Sequence, residues 1–191
     1  MEVLGQKTLW EGKFLKTISI TFKDHKGVIR QWEAVSRVNC DGVVVIIPVT
    51  VDNNLLLIRQ FRPVVKKHVI EFPAGLVNTG EDILTAGKRE LIEETKHDSD
   101  TFIPLTEGVL STGINSEKWT VLLAKDAKEA TPELLKQYPP DETENIDVIK
   151  APITDVYDTL EKYAKNGDYI DIKIYGLVEL AKRKIANFTR P

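Results

Sequence analysis

Polar and apolar residues alternate through Thr17–Phe22, TISITF, which puts Ile18, Ile20 and Phe22 on one face at the two-residue period of a half-buried strand. DHKG, Asp24–Gly27, has the composition of a turn, and VIRQWEAVSRV follows it as a second strand. The first forty residues therefore read as strands of a small antiparallel sheet. From Gly42 the pattern changes: GVVVIIPVT is apolar without interruption, as in a strand covered on both faces, and DNN turns it into LLLIRQFR. Two later runs, from FIPL to GVLS and WTVLLAK, also read as strands.

Between Glu81 and Thr95 the apolar period lengthens to that of a helix. Thr79, Gly80, Glu81 and Asp82 supply start signals, with acids in the first turn, where the helix dipole favours them. Ile83, Leu84, Gly87 and Leu91 form the expected packed side. EATPELLKQYPPDETEN is acidic and contains proline, which predicts mainly loop. Two helical stripes close the chain, Ile153, Val156, Tyr157 and Leu160, then Ile170, Ile174, Leu177, Val178, Ala181 and Ile185. This mixed order defines an α+β or α/β class with a mixed sheet. A chain of 191 residues suits one domain with an appendage, here divided into an N-terminal β-sheet arm over 1–40 and a main domain over 41–191.

Composition narrows the functions. There are 26 Lys and Arg against 29 Asp and Glu, so no basic excess points to nucleic acid. No segment is long and apolar enough to cross a bilayer. The single Cys40 excludes an internal disulfide, and MEVLGQKTLWEGKF lacks the apolar run of a signal peptide. The expectation is a cytoplasmic protein, with a nuclear location left open, that engages neither nucleic acid nor membrane.

The chemistry concentrates in the helix. Residues three and four apart share a helix face, so Glu90, Glu93 and Glu94 project together as a carboxylate cluster. Unpaired, such a cluster costs helix stability, and Arg89 can relieve part of it by pairing with Glu93. One reading is a solvated charged face. The other is a set of hard oxygen ligands for Mg2+ or Mn2+.

The spacing separates these readings. Gly75, five residues, Glu81, seven residues, then Arg89-Glu90-Leu91-Ile92-Glu93-Glu94 resembles the Nudix box, G-x5-E-x7-R-E-U-x-E-E-x-G-U, where U is apolar. Lys96 stands where the box has its late glycine and His97 where it has an apolar residue. That glycine ordinarily ends the helix in a left-handed conformation, so the helix is expected to run on or end differently here. The resemblance implies an α/β/α Nudix fold, a mixed sheet between helices with the box as loop-helix-loop. It also implies hydrolysis of a nucleoside diphosphate linked to another group, with two or three Mg2+ or Mn2+ ions. Glu90 and Glu94 would be the main metal ligands, joined by the backbone carbonyl of Ala74. Glu93 would bind a further ion or act in catalysis, and Pro73 and Gly75 would shape the turn that aims the carbonyl.

RQWEAVSR, LLLIRQFRP, IEFPAGLV and RELIEET extend the similarity to the ADP-ribose and ADP-sugar pyrophosphatases of animal and fungal type. In that subfamily two aromatics sandwich the adenine. The positions fall on Trp32, in the Trp32-Glu33 pair, and on Phe14, where Trp is usual. Ordinary strand packing is the other reading of Trp32. The resemblance also assigns Glu33 and Arg37 to the base region, Arg62 to the diphosphate, and Leu76 and Gly113 to substrate contact. LSTGINSE resembles a loop that usually reads S-P-G-x-x-x-E, with Thr112 in place of proline. DETENIDV resembles the acidic loop that supplies a catalytic glutamate, Glu142 or Glu144. The products would be AMP and ribose 5-phosphate. The subfamily also implies a homodimer whose adenine site is completed across subunits by the N-terminal arm. Phe14 leaves a UDP- or GDP-linked sugar open as the substrate. A non-hydrolytic ADP-ribose sensor would have no need of the three intact carboxylates.

Overall fold

The uninterrupted apolar run after Gly42 lies at the centre of the computed structural model, which describes residues 1–140 and 145–188. In chain order the elements are β1 (Glu2–Glu11), β2 (Leu15–Lys23), β3 (Ile29–Arg37), β4 (Cys40–Thr50), β5 (Asn54–Arg62), β6 (Lys67–Glu71), β7 (Ala74–Asn78) and α1 (Ile83–Thr95). They continue with β8 (His97–Asp98), β9 (Thr101–Val109), β10 (Lys118–Glu129), α2 (Pro132–Gln137), β11 (Ile146–Pro152), α3 (Val156–Lys165), β12 (Tyr169–Ile170) and α4 (Lys173–Phe188).

Strands β1 to β3 form an antiparallel three-stranded sheet, and β4 to β12 form a second, nine-stranded sheet among the described residues. The larger sheet is mixed: β4 runs parallel to β10 and β6 parallel to β12, while the other pairs are antiparallel. Alternation along β4 divides the core. Val44 and Ile46 face α1, packing with Ala86, Leu91 and Leu122. Val43, Val45 and Ile47 face the other side, with Leu160 of α3 and Ile174, Val178 and Ala181 of α4. Burying each such side chain contributes about 1.5–3 kcal/mol, which explains why β4 needs no polar face. This is the expected mixed sheet between helices, with the small antiparallel sheet at the N-terminus.

Two local features set the position of α1. Asp82 caps the helix by accepting from the N–H groups of Leu84 and Thr85, both at 3.0 Å. At Gly87 a β-carbon would lie 2.7 Å from Cδ1 of Leu122, so glycine lets the helix lie close against the sheet. The helix thus starts at Ile83, two residues later than expected, and the acids assigned to its first turn precede it. Leu84, placed on the packed side by pattern, is 41% exposed, and Ala86, Ile92 and Thr95 are buried in the helix instead.

A further expectation is corrected. Ala74–Asn78 is a strand paired with β4 from Cys40–Asn78 to Val45–Ala74, rather than a loop. The acidic, proline-containing span includes α2, which Thr131 caps with Pro132 in its first turn.

Candidate active site

Arg89 organises the charged face of α1. Its Nε and Nη2 donate to the two carboxylate oxygens of Glu81 at 3.0 and 3.1 Å. Nη1 donates to Glu90 at 2.5 Å and to Glu93 at 3.1 Å, and Nη2 also reaches the Leu76 carbonyl at 3.0 Å. The planar fork of guanidinium suits this many-sided role, which a lysine could not fill. Burial works against the Arg89 charge, but its hydrogen bonds to Glu81 and the charge of Glu90 outweigh it and push its pKa up. The Arg89 hydrogen bond also holds the Glu81 carboxyl below its usual range, against a smaller opposing effect of burial. The crowding of like charge is therefore relieved by more than the single Arg89–Glu93 pair expected from sequence.

Glu90 and Glu94 are buried, 8% and 6% exposed, although both are acidic side chains. Glu90 fits because residue 75 is glycine: a β-carbon there would lie 1.9 Å from its Oε1. Glu94 accepts from the N–H of Ala74 at 3.0 Å, which ties the helix to β7. Pro73 does not lead into a free turn, because its carbonyl accepts from the N–H of Ile46 at 2.8 Å.

These groups border a cleft of about 410 Å³ that brings together Ala74, Leu76, Glu90, Glu93, Glu94, Arg37 and Arg62. Each arginine has a carboxylate partner: Arg37 donates to Glu117 and Arg62 to Glu71, both at 2.7 Å. Val43, Asn78 and Trp119 also line the cleft and escaped the sequence reading. In sequence Trp119 reads only as part of an apolar strand; in the structure it packs on the face of Val121 and Leu123. Its indole N–H is buried with no acceptor among the described residues, and the Lys173 ammonium lies 4.8 Å from its ring centre.

Phe14, Trp32 and Glu33 do not line this cleft. Trp32 is half exposed and donates to the Gly113 carbonyl at 3.1 Å, while the Val35 N–H donates to Ile114 at 2.7 Å. These contacts dock the turn at Ser111–Asn115 on β3. The turn closes without the usual proline, through Ile114 N–H to the Ser111 carbonyl at 2.7 Å. In the β2–β3 register Trp32 stands opposite Ile20, and Arg37 opposite Leu15. Phe14 precedes Leu15, so it lies about 20 Å along the sheet from Trp32. One chain cannot sandwich a base between them. Glu142 and Glu144 lie outside the described residues.

Lys96 ends α1 in the left-handed conformation, φ 59° and ψ 24°, that the box glycine would take. Its N–H donates to Ile92 at 2.9 Å, so the helix neither runs on nor ends differently, contrary to expectation. A non-glycine residue there costs about 1 kcal/mol.

Among the described residues, no three His, Cys, Asp or Glu side chains gather into a ready metal cage. Glu90 and Glu93 turn toward Arg89 instead. The donor set nonetheless fits a hard divalent ion: buried carboxylates, one of them in a hollow that glycine leaves, border an open polar cleft.

Comparison with known proteins agrees with fold and motif. The NUDIX domain model matches residues 41–170, and the chain belongs to the Nudix family. It is 28% identical to the ADP-sugar pyrophosphatase of Mus musculus over 91% of this chain and 84% of that protein. A Nudix hydrolase of Caenorhabditis elegans is 35% identical over 49% of this chain, and the match spans 46% of the nematode protein. A crystal structure of an ADP compounds hydrolase superposes with a TM-score of 0.79 at 23% identity, covering 99% of this chain and 96% of that one, and so shares its fold.

Proposed function

We propose that this Nudix hydrolase cleaves the pyrophosphate of ADP-ribose and related ADP-sugars, releasing AMP and, from ADP-ribose, ribose 5-phosphate. The observation that carries the reading is the group of box residues Arg89, Glu90, Glu93 and Glu94, with Arg89 held by Glu81, in a cleft that also holds Arg37 and Arg62. A diphosphate cannot approach bare carboxylates, whereas arginines can orient it. Glu90, Glu94 and the Ala74 carbonyl would hold two or three divalent ions, Mg2+ or Mn2+, with Glu93 as a further ligand or catalytic group. Bound there, the ions would neutralise the phosphates and activate a water.

The residues of the chain do the rest. Arg62 holds the diphosphate, and Arg37 orients the nucleoside side. Glu81 and Leu76 fix the Arg89 guanidinium, and through it the carboxylates of Glu90 and Glu93. Glu142 or Glu144 positions or deprotonates the attacking water. Phe14, Trp32 and Glu33 bind adenine at a site shared by two subunits, with Gly113 beside Trp32. The separation of Phe14 and Trp32 on one chain supports that sharing, as do the exposed Leu9, Trp10 and Ile29 on the N-terminal sheet. The arm over 1–40 would then be the dimerising unit and 41–191 the catalytic one, in a cytoplasmic enzyme.

The test is a substrate panel with Mg2+: ADP-ribose, ADP-glucose, UDP-glucose and GDP-mannose. AMP should form fastest from ADP-ribose. Faster release of UMP or GMP would move the substrate class, and ADP-ribose binding without turnover of any compound would overturn hydrolysis.

A further inference from the structure

Lys96, like His97 after it, is a box position whose residue the proposed reaction does not explain. Its backbone follows the path a glycine would take: left-handed φ, N–H to Ile92 and carbonyl accepting from Ala130, each hydrogen bond at 2.9 Å. The lysine therefore leaves the helix end as it was, and what it adds is a side chain. Lys96 lines a second cavity, of about 440 Å³, which shares Glu93 and Glu94 with the catalytic cleft and is also lined by Asp147. A lysine thus borders the same cavity as two of the acids assigned to metal, where the motif ordinarily has a glycine.

We propose that Lys96 is a positioning residue for metal affinity: its ammonium partly neutralises Glu93 and Glu94 and lowers their attraction for divalent ions. The inference rests on the metal assignment under the proposed function. The physical basis is Coulombic. A divalent ion is drawn by the net charge of the surrounding carboxylates, and a cation bordering the same cavity weakens that attraction. The location at the helix C-terminus also suits a cation, because the helix dipole is negative there.

The experiment is Mn2+ binding to the whole protein without substrate, followed by electron paramagnetic resonance. Lys96→Gln removes the charge and keeps a side chain. Lys96→Gly also relieves the left-handed strain, and Lys96→Arg keeps the charge. Both uncharged variants should bind Mn2+ about three- to tenfold more tightly than the wild type, with Lys96→Arg matching the wild type. Equal affinity in all four proteins, or tightening in Lys96→Gly alone, overturns the inference and leaves the proposed function standing. If the wild type binds no Mn2+, or Glu94→Gln binds it equally well, the metal assignment itself is overturned.

Discussion

The carboxylate of Glu90 fills the space that residue 75 leaves by being glycine, since a β-carbon there would lie 1.9 Å from Oε1. The clash would be with the end of a flexible side chain, so Glu90 can swing aside while the backbone stays. Gly75→Ala should therefore fold with nearly wild-type thermal stability and lose about 100-fold in kcat through misplacement of one carboxylate. Full activity would show that the Glu90 position is not critical.

Arg89 balances Glu81, Glu90 and Glu93 at once. Arg89→Met should cost on the order of 3 kcal/mol in urea unfolding, because it leaves partly buried carboxylates facing one another. The pH dependence has a definite sign. The pKa of Glu81 is depressed in the folded state, so its pair stabilises above the ordinary Glu value of 4.5 and is lost as pH falls through the lower folded pKa. In Arg89→Met that acid-side loss should shrink or reverse, as measured by unfolding at pH 3 to 6.

Trp119 lines the cleft with Arg37 and Arg62, and its ring carries no hydrogen bond among the described residues. Packing and the Lys173 ammonium hold it. Trp119→Leu should raise KM for ADP-ribose several-fold with a smaller change in kcat. Steady-state kinetics with an unchanged KM would remove Trp119 from the substrate site.

The legible parts of the chain were those whose signal is local. The Nudix box shows in sequence because its chemistry depends on spacing along one helix, and the covered strand at Val43–Thr50 shows because both faces are apolar. What was missed depends on partners far along the chain. β7 is five residues containing a glycine, and only pairing with β4 makes it a strand. α2 was hidden by acidic and proline-rich flanks despite a Thr131 cap. The roles of Glu71 and Glu117, which hold Arg62 and Arg37, follow from tertiary pairing alone.

The register that separates Phe14 from Trp32 gives a complementation test. On the proposed shared site, Phe14→Ala and Trp32→Ala proteins should each bind ADP-ribose weakly, because every such site would lack one aromatic. Mixed dimers should recover one intact site, with about half the wild-type number of sites. No recovery on mixing would place both aromatics in separate or single-chain roles.

The most direct measurement compares wild type and Glu94→Gln for AMP and ribose 5-phosphate release from ADP-ribose with Mg2+. Glu94 is buried and joins α1 to Ala74. The wild type should release both products in equal amounts, and Glu94→Gln should be slower by at least about 100-fold while still unfolding in one cooperative transition. Wild-type turnover by Glu94→Gln, or no AMP from the wild type, would contradict the account.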